Sequence, residues 1–152
     1  MTEFEIKEIT RNYPIGLLLE ADPDIKKIEK YLNKGRCFGL FHEEKLIGEY
    51  VLKTDKKTSD AEIVNLAVAQ EYRRKGYARL LIKDALARSE AQGARSVEIA
   101  TGKDSFQQKF YQSCGFKIES VEENYFLEHY PDPVIDEGKE LKDLVRLKID
   151  LA

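Results

Sequence analysis

A chain of 152 residues, 42% hydrophobic and 35% charged, has the size and composition of one folded domain, which argues against global disorder and against residence in a membrane. No apolar run approaches the roughly 20 residues of a spanning helix, and Met1 to Glu5 lacks the basic and apolar regions of a secretory leader. The expected location is therefore the cytoplasm. The formal net charge of −3 argues against a general nucleic-acid binder and suits a surface that attracts cationic amines. Two cysteines, Cys37 and Cys114, stand far apart, with only His42 and His129 beside them as soft ligands. That pattern reads as reduced thiols and no metal site.

In chain order, Phe4 to Ile9 alternates apolar and charged residues and predicts a strand. Asp22-Pro23 offers an N-cap and a first-turn proline. Ile25, Ile28 and Leu32 follow at helical spacing and Gly35 closes the helix. Cys37 to Phe41 and Leu46 to Leu52 flank a polar tetrapeptide and predict a hairpin. Glu62 to Val68 predicts the next strand. Ala78 to Ala91 carries an apolar face of Ala78, Leu81, Ile82, Ala85 and Leu86, and Gly93 ends that helix. Ser96 to Ala100 is a short strand, Ser105 to Ser113 a further helix, and Phe116 to Leu127 a strand or long hairpin arm. A loop with Pro131, Pro133 and Gly138 precedes the alternating Val145, Leu147, Ile149 and Leu151, a terminal strand. The order predicts one mixed α/β (α+β) domain over 1–152, with an antiparallel N-terminal half, a βαβ half and helices on both faces of a mixed sheet.

The segment from Val68 to Leu81 carries the strongest chemical signal. It runs from a strand through a short basic loop and a glycine into an amphipathic helix. Backbone N–H groups of such a loop converge into an anion-binding nest at the positive end of the helix dipole. Gly76 leaves room for a phosphate, as does the small Ala78. Arg73, Arg74, Lys75 and Arg79 add positive charge around Tyr77. A diphosphate fits that description. The loop is neither a Gly-Lys-Ser/Thr phosphate loop nor a Gly-x-Gly-x-x-Gly fingerprint.

Arg73-Arg74-Lys75-Gly76-Tyr77-Ala78 resembles the Arg/Gln-x-x-Gly-x-Gly/Ala motif of the GNAT superfamily of N-acetyltransferases. It follows Asn65-Leu66-Ala67-Val68, similar to the apolar strand end of that family. Phe110-Tyr111-Gln112-Ser113-Cys114-Gly115-Phe116 resembles the family's Phe-Tyr-x-x-x-Gly-Phe signature. The resemblance implies acetyl-coenzyme A as cosubstrate, held by Leu66, Ala67, Val68 and the loop Arg73 to Arg79. Its pantetheine arm would pair with Leu66 to Val68 like an added strand. The N–H of Leu66 or Ala67 would face the thioester oxygen. Asp104 stands where many members carry a coenzyme-binding asparagine, with Ser105 as the replacement contact.

For catalysis the resemblance implies Tyr111 as general acid, since a phenol of pKa near 10 protonates a thiolate of pKa near 8.5 downhill. Glu62 is the candidate base, and by plain alternation it shares a face with Val64 and Leu66. Asn65, Glu128 and His129 are candidate substrate contacts. Cys114, without a paired histidine, reads as packing. The acceptor is a small-molecule amine or a peptide amine, its pocket built from roughly Pro14 to Asn33 and Phe126 to Lys139. No nucleic-acid or membrane partner is expected, and a homodimer through the C-terminal strand is an assembly the resemblance allows. The competing expectation is a non-catalytic coenzyme A sensor, which would use the basic loop but not Tyr111 or Glu62.

Overall fold

The computed structural model describes residues 4–151. Its order is β1 (Phe4–Ile9), α1 (Ile15–Ala21), α2 (Ile25–Lys34), β2 (Arg36–His42), β3 (Lys45–Thr54), β4 (Ala61–Val68), α3 (Tyr77–Ala91), β5 (Ser96–Gly102), α4 (Phe106–Ser113), β6 (Lys117–Glu122), α5 (Tyr125–His129), β7 (Val134–Asp136), β8 (Lys139–Leu141) and β9 (Leu144–Asp150). A seven-stranded sheet runs β1-β2-β3-β4-β5-β9-β6, and β7 and β8 form a separate hairpin. β1 to β4 make an antiparallel meander, and β4 runs parallel to β5 as the two ends of the α3 crossover. Among the described residues no helix is long and apolar enough to cross a membrane.

Alternation on the strands divides the core. Tyr50, Leu52 and Ile63 face one side with Leu81, Ile82 and Ala85 of α3 and Tyr111 of α4. Val51 and Cys37 face the other, under Leu18 of α1 and Ile28 and Leu32 of α2, with Val64 against them. Helices therefore cover both faces, as the sequence predicts.

Three local expectations are corrected. The cap of α2 is Asp24, whose Oδ1 accepts the N–H groups of Lys26 and Lys27 at 3.0 and 3.4 Å. Asp22 instead ends α1, a helix with no side-chain N-cap to announce it. The Phe116 to Leu127 arm stops at Glu122, and the aromatic run that follows coils into α5 after Asn124 turns left-handed at φ 58°. The loop carrying Gly138 is the β7–β8 hairpin. The expected terminal strand is β9, and it lies inside the sheet. β9 pairs with β5 on one side and β6 on the other, so both its ladders are filled within the chain.

Candidate active site

β4 and β5 pair only at Ala61–Val97, Glu62–Glu98 and Ile63–Ile99, then separate. From Val64 to Val68, β4 is held by β3 alone. Val51 pairs with Asn65 while Leu52 pairs with Ile63, so Val64 is an extra residue and β4 bulges there. The antiparallel ladder beyond the bulge has a fixed alternation. Ala69 N–H donates to Ile47 O at 2.9 Å, which makes Gly48–Val68 and Tyr50–Leu66 the non-hydrogen-bonded pairs. The backbone groups of Leu66 and Val68 accordingly turn away from β3 into the gap. Those of Ala67 are spent on Glu49, so of the two oxyanion candidates Leu66 has the free N–H.

At the end of β4 the chain makes one 3₁₀ turn, Gln70–Tyr72, and reaches the basic loop. Arg74 at φ 62° and Gly76 at φ 89° are both left-handed, and Gly76 begins α3 with no side-chain cap. A Cβ built on Gly76 would meet no atom within 4 Å. The 15-residue helix thus starts beside open space at Gly76, with no side chain capping its dipole. This fits a diphosphate.

The basic side chains divide. Arg73 folds back: its Nε donates to Val68 O at 2.9 Å and its Nη2 to Glu20 Oε1 at 2.6 Å. It braces the loop on the strand end and on α1, a task different from the phosphate contact expected of it. Arg79 donates to Ser113 Oγ at 3.1 Å and sits over the Phe110 ring, tying α3 to α4. Tyr77 packs on Phe4 and Tyr72, and Lys75 lies over Tyr72. Arg74 and Lys75 remain as the charges beside the Gly76 amides.

Tyr111 is buried and stands edge-on to Phe116, and burial raises its hydroxyl above the usual phenol range. Ser105 is the N-cap of α4. Its Oγ accepts Gln108 N–H at 3.2 Å and donates to Gly102 O at 2.6 Å, so the hydroxyl expected to contact the coenzyme is committed to the helix start. Asp104 N–H adds a bond to Gln108 Oε1 at 2.6 Å.

A family model described as the acetyltransferase (GNAT) family matches residues 4–116. The chain belongs to the GNAT acetyltransferase family. It is 38% identical over 149 residues to the uncharacterised N-acetyltransferase YvbK of Bacillus subtilis strain 168, covering 97% of this chain and 95% of that protein. A GNAT family acetyltransferase from Elizabethkingia anophelis, solved with acetyl-CoA bound, superposes at a TM-score of 0.91 with 32% identity over 97% of this chain and 98% of that one. A Bacillus subtilis acetyltransferase in complex with CoA gives 0.88 and 35%, covering 100% of both chains. The seven-stranded mixed sheet with helices on both faces is the GNAT fold.

In this GNAT domain the remaining candidates separate into two places. The Val64 bulge reverses the alternation, so Glu62 does not share a face with Leu66: Ile63 and Leu66 face α3, whereas Val64 and Asn65 both face α1 and α2. Glu62 sits at the closed end of the splay, opposite Lys53 and Glu98. Burial raises its carboxyl, and Arg146 opposes that shift. Asn65 is buried, and its Nδ2 donates to Leu18 O at 3.0 Å and Tyr31 Oη at 2.7 Å. Tyr31 in turn donates to Asp22 Oδ2 and Tyr130 to Asp22 Oδ1, at 3.4 and 3.1 Å. Lys27 caps this cluster over the Tyr130 ring at 4.5 Å. Desolvation raises the Asp22 carboxyl above its usual range, opposed by the Asp24 N–H, Tyr130 and Lys27.

Tyr31, Asp22 and Tyr130 were missed by sequence reasoning: separations of 34 and 108 residues leave no local pattern. Glu128 and His129 lie on exposed turns of α5, and His129 stacks on Tyr125 at 4.2 Å with its Nδ1 3.0 Å from Tyr125 O. They flank the cluster rather than join it. Among the described residues no group of three or more His, Cys, Asp or Glu side chains could hold a metal ion.

Proposed function

We propose that this chain is an N-acetyltransferase that moves an acetyl group from acetyl-coenzyme A to a primary amine by direct attack in a ternary complex. The observation that carries the reading is the uncapped start of α3 at Gly76, at the end of a β4 edge that no strand among the described residues covers. The coenzyme supplies the activated acetyl thioester. The amides following Gly76, with Arg74 and Lys75, hold its diphosphate. Leu66, with both backbone groups, and Val68, with its N–H, face the pantetheine arm, an instance of strand addition. Leu66 N–H stabilises charge that develops on the thioester oxygen. Tyr111 protonates the leaving thiolate, and burial keeps it in the protonated form such an acid needs.

The acceptor amine, whether of a small molecule or a peptide, enters on the α1–α2 face. Asp22, Tyr31, Asn65 and Tyr130 supply polar groups there, and Lys27 narrows the approach. Glu62 is four residues from Leu66, about 13 Å along an extended strand. Its setting beside Lys53, Glu98 and Arg146 supports a part in ordering the sheet better than proton transfer.

The test is coenzyme A thiol release from acetyl-coenzyme A with spermidine, an aminoglycoside, free amino acids and short peptides as acceptors. Release that depends on an added amine is expected. Tight coenzyme binding with no release under any acceptor would instead favour a sensor.

A further inference from the structure

β3 is covered on both faces from Ile47 to Leu52, and the one charged residue in that stretch is Glu49. It is 0% exposed, and among the described residues neither carboxylate oxygen has a hydrogen-bond partner. Burying a carboxylate without donors is costly, and native folds keep such a group mainly where function uses it.

The register says what surrounds it. Glu49 stands between Gly39 of β2 and Ala67 of β4, on the sheet face that carries α1 and α2. Cross-strand Cβ atoms lie about 5 Å apart. Glu49 is therefore one strand from the gap-facing N–H of Leu66, where Glu62 is about 13 Å away along β4. Asn65 is its diagonal neighbour on the same face, and Asn65 Oδ1 is also buried without a partner. Three acceptor atoms thus occupy adjacent positions on β3 and the open-edged β4, with no donor among the described residues. A group rich in N–H or O–H would satisfy them.

We propose that Glu49 takes the proton of the acceptor amine, directly or through one water, while Asn65 Oδ1 orients the same nitrogen. This rests on the acetyltransferase reading and adds a residue to it. One N–H bond of the ammonium breaks and its proton goes to a Glu49 carboxylate oxygen. The freed nitrogen pair forms the C–N bond. As the C–S bond breaks, the sulfur takes the Tyr111 proton, and the nitrogen's second surplus proton restores Tyr111. Glu49 then releases its proton to solvent, so the sum is amide, free thiol and one proton. The titratable groups that feel its charge are Tyr31 from α2, Cys37 from β2 and Tyr111 from α4. Burial raises the Glu49 carboxyl well above the usual range, which brings it toward the pH where a general base works best.

The experiment compares wild type, Glu49→Gln and Glu62→Gln by acetyl-coenzyme A calorimetry, by melting from pH 5 to 9, and by thiol release with the amine panel and with water alone as acceptor. A carboxyl raised in the fold stabilises the folded state below its unfolded pKa and loses that contribution as pH rises through the folded value. Glu49→Gln should therefore melt higher than wild type at pH 8. It should bind acetyl-coenzyme A as wild type does, turn over about 10²- to 10⁴-fold more slowly, and lose the acid limb of the pH profile. Glu62→Gln should keep that limb. Wild-type turnover in Glu49→Gln overturns the proposal, and so does lower stability at every pH, which marks a packing role. A wild-type protein that binds the coenzyme but transfers to neither amines nor water also overturns it. Failure to bind acetyl-coenzyme A at all sinks the acetyltransferase reading and the role of Glu49 with it.

Discussion

α3 and α4 each follow a strand of the same sheet, yet their N-termini are finished in opposite ways. α4 is sealed by its own chain: Ser105 caps Gln108 N–H, and the Gln108 side chain accepts Asp104 N–H. α3 is left open, with a left-handed glycine in the cap position, no side-chain acceptor and free space in front. The dipole is the same in both. Only the open end asks for an anion from outside. A capped helix start contributes stability, and an uncapped one beside Arg74 and Lys75 gives up that contribution for binding.

Four substitutions sharpen the contrast, the largest effect first. Tyr111→Phe, on the helix whose start is closed, should lower kcat by about 10²- to 10⁴-fold with coenzyme affinity unchanged, as single-turnover kinetics with calorimetry would show. Gly76→Asp puts a carboxylate into the open end and a side chain on a backbone at φ 89°. It should weaken coenzyme A binding by about 100-fold, through repulsion and strain together. Arg73→Ala removes the bond to Val68 O and the pair with Glu20 but no phosphate contact. Its effect should be an affinity loss of about fivefold, the equivalent of one modest hydrogen bond. Ser105→Ala should cost about 1 kcal/mol of stability and lower Tm by about 2–4 °C, with no change in coenzyme affinity. An affinity loss in Ser105→Ala would show that the two helix starts do not divide the work in this way.

The parts legible in the sequence are those set by short-range pattern. The loop from Arg73 to Ala78, the faces of α3 and α4, and most strands of the sheet follow from residues a few positions apart. What escaped depends on competition or on distance. Asp22 and Asp24 are both good caps, and Asp24 prevails because the Asp22 carboxylate is engaged by Tyr31 and Tyr130 from remote parts of the chain. The Tyr125–His129 run has strand-forming aromatics, but burying Phe126 and joining Tyr130 to Asp22 favours a turn of helix. The bulge at Val64 has no sequence signal, and it alone moves Asn65 to the α1–α2 face and separates Glu62 from Leu66. Glu49 reads as one polar position in an apolar strand. Its isolation appears only once β2, β4 and the helices are in place.

The claim on which the account turns is that the amides after Gly76 bind a diphosphate. Calorimetric titration of wild type and Gly76→Asp with coenzyme A and with pantetheine, which has no diphosphate, tests it most directly. Wild type should bind coenzyme A at least 100-fold more tightly than pantetheine, and Gly76→Asp should lose most of that difference. Equal affinity of the two ligands for wild type, or coenzyme A binding left intact in Gly76→Asp, would contradict it.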